Sequence, residues 1–168
     1  MTASLDALKT EHRELRDRID QLKQTADLID LASVEVVIVE LEEAEQFLNH
    51  HILPHARAEE EVLYRAYDQV ANSPWATDTM KRDHAEVLKL TQQLTALRLQ
   101  LFTDPLTTEQ KQELRRIIYG LYTVLRLHLR HEEEIILPRI EAAVTQEAAD
   151  QIVGSMDTAA ARHRAEVV

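Results

Sequence analysis

His55-Ala-Arg-Ala-Glu59-Glu60-Glu61 recurs downstream as His128-Leu-Arg-His-Glu132-Glu133-Glu134, and this doubled spacing constrains the chain more than any other feature. An α-helix advances 3.6 residues per turn, so residues four apart stand one above the other, about 5–6 Å apart at Cβ. His55 with Glu59, and His128 with Glu132, therefore each converge on one point if both stretches are helical. His12 and His84 stand singly on the apolar faces of two further helical stretches. Four helices thus offer four imidazoles and two carboxylates.

Apolar periodicity supplies the helices. The spacing of Leu5, Leu8, His12, Leu15, Ile19 and Leu22 predicts a core-facing helix over about 4–26. Ser33 is a plausible N-cap for a longer second helix with Leu41, Ala44, Leu48, His51, His55, Glu59, Val62 and Ala66 on one face. The β-branched run Val34-Glu-Val-Val-Ile-Val resembles a strand in composition, but the helical stripe continues directly out of it. Pro54 lies inside this helix and predicts a kink or break just before His55. Asn72-Ser73-Pro74-Trp75 ends the segment, and a third helix over about 77–102 turns Met80, His84, Val87, Leu88, Leu94 and Leu101 inward. A fourth, over about 108–143, has Thr107 or Thr108 as its cap. Its inner face carries Leu114, Ile117, Leu121, Leu125, His128, Glu132, Ile135 and Ile136, and Pro138 bends or stops its end.

A chain of 168 residues suits one domain. We expect an all-α, up-down-up-down antiparallel four-helix bundle with its core over about 4–143, and a short C-terminal helix over about 146–164 that serves packing. Only 2 glycines and 4 prolines interrupt it. The formal net charge of −11 opposes binding to nucleic acid or anionic membrane surfaces. Absence of cysteine excludes thiolate metal sites, iron–sulfur clusters and thiol catalysis. The first fifteen residues are polar, and no stretch approaches the roughly 18 apolar residues of a membrane span, so a soluble cytoplasmic protein is expected. Nothing suggests a Ser/His/Asp nucleophile or a glycine-rich phosphate loop.

A carboxylate facing a bundle core costs several kcal/mol unless it is paired, protonated or coordinated. Two together cost more. A metal neutralises them directly, and mixed imidazole and carboxylate donors suit iron, manganese or zinc. Two ions about 3.5–4 Å apart, bridged by Glu59 and Glu132 and each held by two imidazoles, would use all six residues: His12, His55, Glu59, His84, His128 and Glu132.

That order on four successive helices resembles the hemerythrin-like family, the HHE cation-binding domain. The wording around it is similar too: Glu11-His12-Arg-Glu-Leu, Pro54-His55-Ala-Arg-Ala-Glu59-Glu60, Asp83-His84, and Leu127-His128 running to Leu137-Pro138. The resemblance spans about 5–140. It implies two non-haem iron ions with an oxo or hydroxo bridge, zinc or manganese being alternatives, and a small-molecule ligand such as O2, peroxide or nitric oxide.

Two departures matter. Oxygen carriers of this family place a second histidine one turn after the third-helix ligand, where this chain has Leu88, and an aspartate five after the last histidine, where it has Glu132 at four and Glu133 at five. One imidazole fewer leaves a more open, more symmetric site. This argues against plain reversible O2 carriage and for sensing, iron handling, or peroxidase-like, catalase-like or nitric-oxide-reactive turnover. His51, one turn before His55, is a candidate for the missing ligand or for a gate.

Other readings stay open. One is a zinc or other divalent site for stability or storage, without redox chemistry; another is a metal-free polar core that sets helix register. Glu60, Glu61, Glu133 and Glu134 read as solvated patches, although any of them can orient a ligand imidazole. Tyr64, Tyr119 and Tyr122 read as core aromatics with satisfied hydroxyls, Tyr64 with an option to support the site. His131 sits at the bundle edge, and His50 and His163 read as surface residues.

Overall fold

The computed structural model describes residues 4–102 and 104–167. Five helices account for the secondary structure of these residues: α1 (Asp6–Leu28), α2 (34–70), α3 (Asp78–Arg98), α4 (108–143) and α5 (Gln146–Ala165). The first four form the bundle, in which α1 and α3 each pack against both α2 and α4. Among the described residues no helix is long and apolar enough to cross a membrane.

The start of α4 shows how local sequence sets an end. Thr107 Oγ1 accepts from Gln110 N at 3.2 Å while Thr107 N donates to Gln110 Oε1 at 2.9 Å, a reciprocal box that caps free backbone donors. Such a cap contributes on the order of 1 kcal/mol. Ser33 occupies the N-cap position of α2 in an extended conformation, without a side-chain hydrogen bond to the helix.

Neither long helix breaks at its proline. Instead each contains wide π turns, in which an N–H reaches the carbonyl five residues back. These turns are Leu48–Ile52 and Glu59–Leu63 in α2 and Glu132–Ile136 in α4, closed by bonds from Leu53 to Leu48, Tyr64 to Glu59 and Leu137 to Glu132. Pro54 follows the first turn and Pro138 the third, each within the first two positions of the α segment that resumes. A looser coil tolerates a residue that brings no N–H and whose ring would collide with the carbonyl four back in a regular helix. The predicted break before His55 is therefore replaced by a continuous helix.

Each wide turn also absorbs one extra residue, so the next inward position arrives one place late. Ile52, Leu63 and Tyr67 are buried where a strict period expects His51, Val62 and Ala66, and Ile136 is buried while Ile135 is 39% exposed.

Two apolar clusters fill the bundle. One includes Leu15, Ile52, Val87, Leu125 and Leu129, the other Leu8, Leu63, Met80 and Ile136. His12 falls between Leu8 and Leu15, His84 between Met80 and Val87, and His128 with Glu132 between Leu125 and Ile136. A polar layer thus separates two apolar ones. Helix α5 runs through Gly154 without interruption for 20 residues, matching the expected span of about 146–164, and packs along α2 over Leu53–Leu63. Its Ala149, Met156, Ala159 and Ala160 join the second cluster.

Candidate metal centre

All six predicted residues meet in that layer, and all six are buried. Glu59 stands at the middle. Its Oε1 lies 2.7 Å from His55 Nε2 and 3.5 Å from His12 Nε2, while its Oε2 lies 3.2 Å from His84 Nε2 and 3.9 Å from His128 Nε2. Glu132 spans the same two halves, with Oε2 3.5 Å from His12 Nε2 and Oε1 3.5 Å from His128 Nε2. Two groups, His12-His55-Glu59 and Glu59-His84-His128, each bring one donor atom per residue within 4.8 Å of the others and could hold an ion.

The donor atoms fit cations better than one another. His55 Nε2, Glu59 Oε1 and Glu132 Oε2 are sealed from solvent and make no hydrogen bond. Burying polar atoms unsatisfied costs several kcal/mol in total, a cost that an ion among them removes. In the other half, His84 Nε2 and His128 Nε2 are 3.0 Å apart, a separation that two nitrogens about 2.0–2.1 Å from a shared metal can span.

Each imidazole turns its other nitrogen toward a carboxylate from the preceding helix of the circuit. Glu11 of α1 lies 3.2 Å from His55 Nδ1, Glu60 of α2 2.8 Å from His84 Nδ1, and Asp83 of α3 3.3 Å from His128 Nδ1. Glu133 of α4 closes the ring 3.8 Å from His12 Nδ1, itself clamped by Arg16 through both oxygens. Every supporting acid is the sequence neighbour of a ligand candidate on its own helix. The first three lie within hydrogen-bond reach, where an acid fixes the tautomer and aims the free nitrogen, while His12 Nδ1 makes no hydrogen bond.

The fields are strong. Burial opposes a charged His55, but Glu59 and Glu11 outweigh it and hold its pKa well above the usual imidazole range. His128 is raised well above that range in the same way, burial being overcome by Glu132, Asp83 and Glu59, and His84 is raised against burial by Glu59 and Glu60. Burial also opposes a charged Glu59, yet His55, His12 and His128 hold it well below the ordinary carboxylate range.

Sequence reasoning left three supports without a firm role. Tyr64 donates to Glu132 Oε1 at 2.6 Å and lies 3.3 Å from His84 Nε2 and 3.2 Å from His128 Nε2. Burial first, then Glu132 and Glu59, push its hydroxyl pKa well up. Glu11 and Asp83 were visible only as neighbours of His12 and His84. Glu60 supports the His84 imidazole and Glu133 is held by Arg16, whereas Glu61 pairs with Arg162 and His163, and Glu134 with Arg130. His51 is exposed, its ring 6.0 Å from that of Phe47, and so stands outside the site. Tyr119 is only half-buried and donates to Asp27.

Comparison with known proteins points the same way. The family model described as the hemerythrin HHE cation-binding domain matches residues 3–140, and again over 77–165, so the second match begins near the α3–α4 half that carries His84 and His128-xxx-Glu132. Comparisons with curated proteins and with solved structures find no match. By the first of these matches, which covers most of its length, the chain belongs to the hemerythrin HHE cation-binding domain family.

Proposed function

We propose that this chain is a non-haem di-iron protein that binds O2, peroxide or nitric oxide and works in sensing, detoxification or iron handling. The observation that carries this reading is Glu59, whose two oxygens face different histidine pairs. His12 and His55 would hold one ion and His84 and His128 the other, with Glu59 and Glu132 between them. Iron bound there supplies Lewis acidity and electron transfer toward a small molecule.

The protein's own contribution is placement. Glu11, Glu60 and Asp83 hold the imidazoles of His55, His84 and His128, Tyr64 keeps a proton at Glu132 Oε1, and the flanking apolar clusters exclude bulk water. Four imidazoles and two carboxylates leave positions open on ions that accept six ligands, and an open position is where a small molecule binds.

Elemental analysis of freshly purified protein, with its optical spectrum, tests the reading. The expected result is about two irons per chain and near-ultraviolet charge-transfer absorption that changes with azide, peroxide or nitric oxide. A colourless protein carrying stoichiometric zinc from iron-supplemented growth defeats it.

A further inference from the structure

Between α2 and α3 lie two cavities that share a wall. The inner one, nearer the centre and about 320 Å³, has His84, Ala56, Ala85 and Leu88 on its wall together with the charged Arg57, Glu60 and Lys81. The outer one, about 680 Å³, shares Leu53, Arg57 and Leu88 with it and runs on toward Thr95 and Leu99. We propose that this groove is the route by which a molecule of a few atoms reaches the His84/His128 half of the centre, and that Leu88 is its gate. The inference rests on the di-metal reading for its purpose and on the cavities for its path.

The approach is one-sided. His84 is the least buried of the four imidazoles, 8% exposed against 1% for His12, 4% for His55 and 3% for His128. It forms part of the inner cavity wall while its Nε2 faces His128 and Tyr64. A small molecule in the inner cavity therefore meets the edge of the centre at His84. The small side chains Ala56 and Ala85 help leave room for it.

Leu88 stands one turn beyond His84, 39% exposed, on the wall common to both cavities. Its tip can swing without opening a hole in the core, because it belongs to neither apolar cluster. A larger side chain there narrows the passage between the two cavities, which a molecule of a few atoms otherwise crosses.

The chain has no cysteine, so Leu88→Cys introduces a unique thiol that can be capped with benzyl methanethiosulfonate. The same folded protein is then measured before and after capping, with thermal melting to confirm that it stays folded. The first readout needs no metal: crystals pressurised with xenon should show it beside Ala85 and residue 88, and capping should remove it. The second is stopped-flow azide binding to iron-loaded protein, expected to slow about tenfold on capping with its final amplitude unchanged. Xenon absent from the groove, or an azide rate indifferent to capping, overturns the proposal. Xenon displaced by capping in a protein that shows no azide band sustains the groove and strikes the di-iron reading instead.

Discussion

Tyr64 and Glu132 form a 2.6 Å hydrogen bond in the buried layer, the hydroxyl donating to the carboxylate oxygen that also faces His128. The donor comes from just after a wide turn in α2 and the acceptor opens a wide turn in α4. Tyr64→Phe keeps the ring and deletes the bond. Metal affinity of the His84/His128 half should fall by about 10–100-fold, the usual cost of losing a ligand's supporting partner, while the His12/His55 half holds. Competitive titration against a chelator should show two separated binding steps where wild type shows steps closer together.

Glu59→Gln tests the double role of one carboxylate. Because both halves face it, bound metal should drop by more than half. Glu132→Gln should cost less in the His55 half, since His55 takes its close contact from Glu59 at 2.7 Å. Elemental analysis after gel filtration reads both, and full stoichiometry in both variants refutes the bridging arrangement.

The ring of supporting acids makes a separate prediction. Glu11→Gln and Asp83→Asn keep size and remove charge from His55 and His128 respectively. Each should weaken metal binding roughly tenfold or more and leave helix content by circular dichroism unchanged. An effect on folding equal to the effect on binding would make these acids merely structural.

Stability should respond to pH with opposite sign before and after chelation. The raised pKa values of His55 and His128 give stabilisation that is complete below the ordinary imidazole value and lost as pH rises through the raised ones. The depressed Glu59 gives stabilisation present above the ordinary carboxylate value and lost as pH falls through the depressed one. Chelator-treated protein should thus be most stable between about pH 4.3 and 6.5. Metal replaces those protons, so its stabilising effect should grow with pH. Melting curves across this range, with and without chelator, check both slopes.

Deleting His50 tests the first wide turn. The residue is exposed, and because the turn holds one residue more than an α turn, its removal should restore regular pitch over Leu48–Ile52 while keeping Leu41 and Ala44 in phase with His55. Pro54 then meets the carbonyl four back, at a cost of about 3 kcal/mol, so melting should stay cooperative but fall by about 6–12 °C, and Pro54→Ala in the same chain should recover most of the loss.

The same turn explains which parts of the molecule were legible in its residues. Helices, their order and the meeting of His12, His55, Glu59, His84, His128 and Glu132 follow from three-and-four spacing, because each predicted pair ends at the first residue of a wide turn, before the pitch changes. His51, Val62, Ala66 and Ile135 were assigned inward on a period the wide turns interrupt, and all four are more exposed than Ile52, Leu63, Tyr67 and Ile136. Pitch changes leave no simple periodic mark. Glu11 and Asp83 were hidden differently: each serves a histidine on the next helix, a relation only tertiary packing creates. The expected span of α5, about 146–164, also holds, since the lone Gly154 within it weakens a helix by only about 1 kcal/mol relative to alanine.

The acid circuit has a thermodynamic corollary. Two inner and four outer carboxylates surround four imidazoles, with Arg16 the cation that clamps Glu133. For the iron proposed above, that excess of negative charge favours the higher valence, so adding an electron works against the surrounding field, softened where Glu60, Glu11 and Asp83 reach solvent. A lowered reduction potential, rising when Glu11 or Asp83 is neutralised, is the expected consequence for that proposed iron.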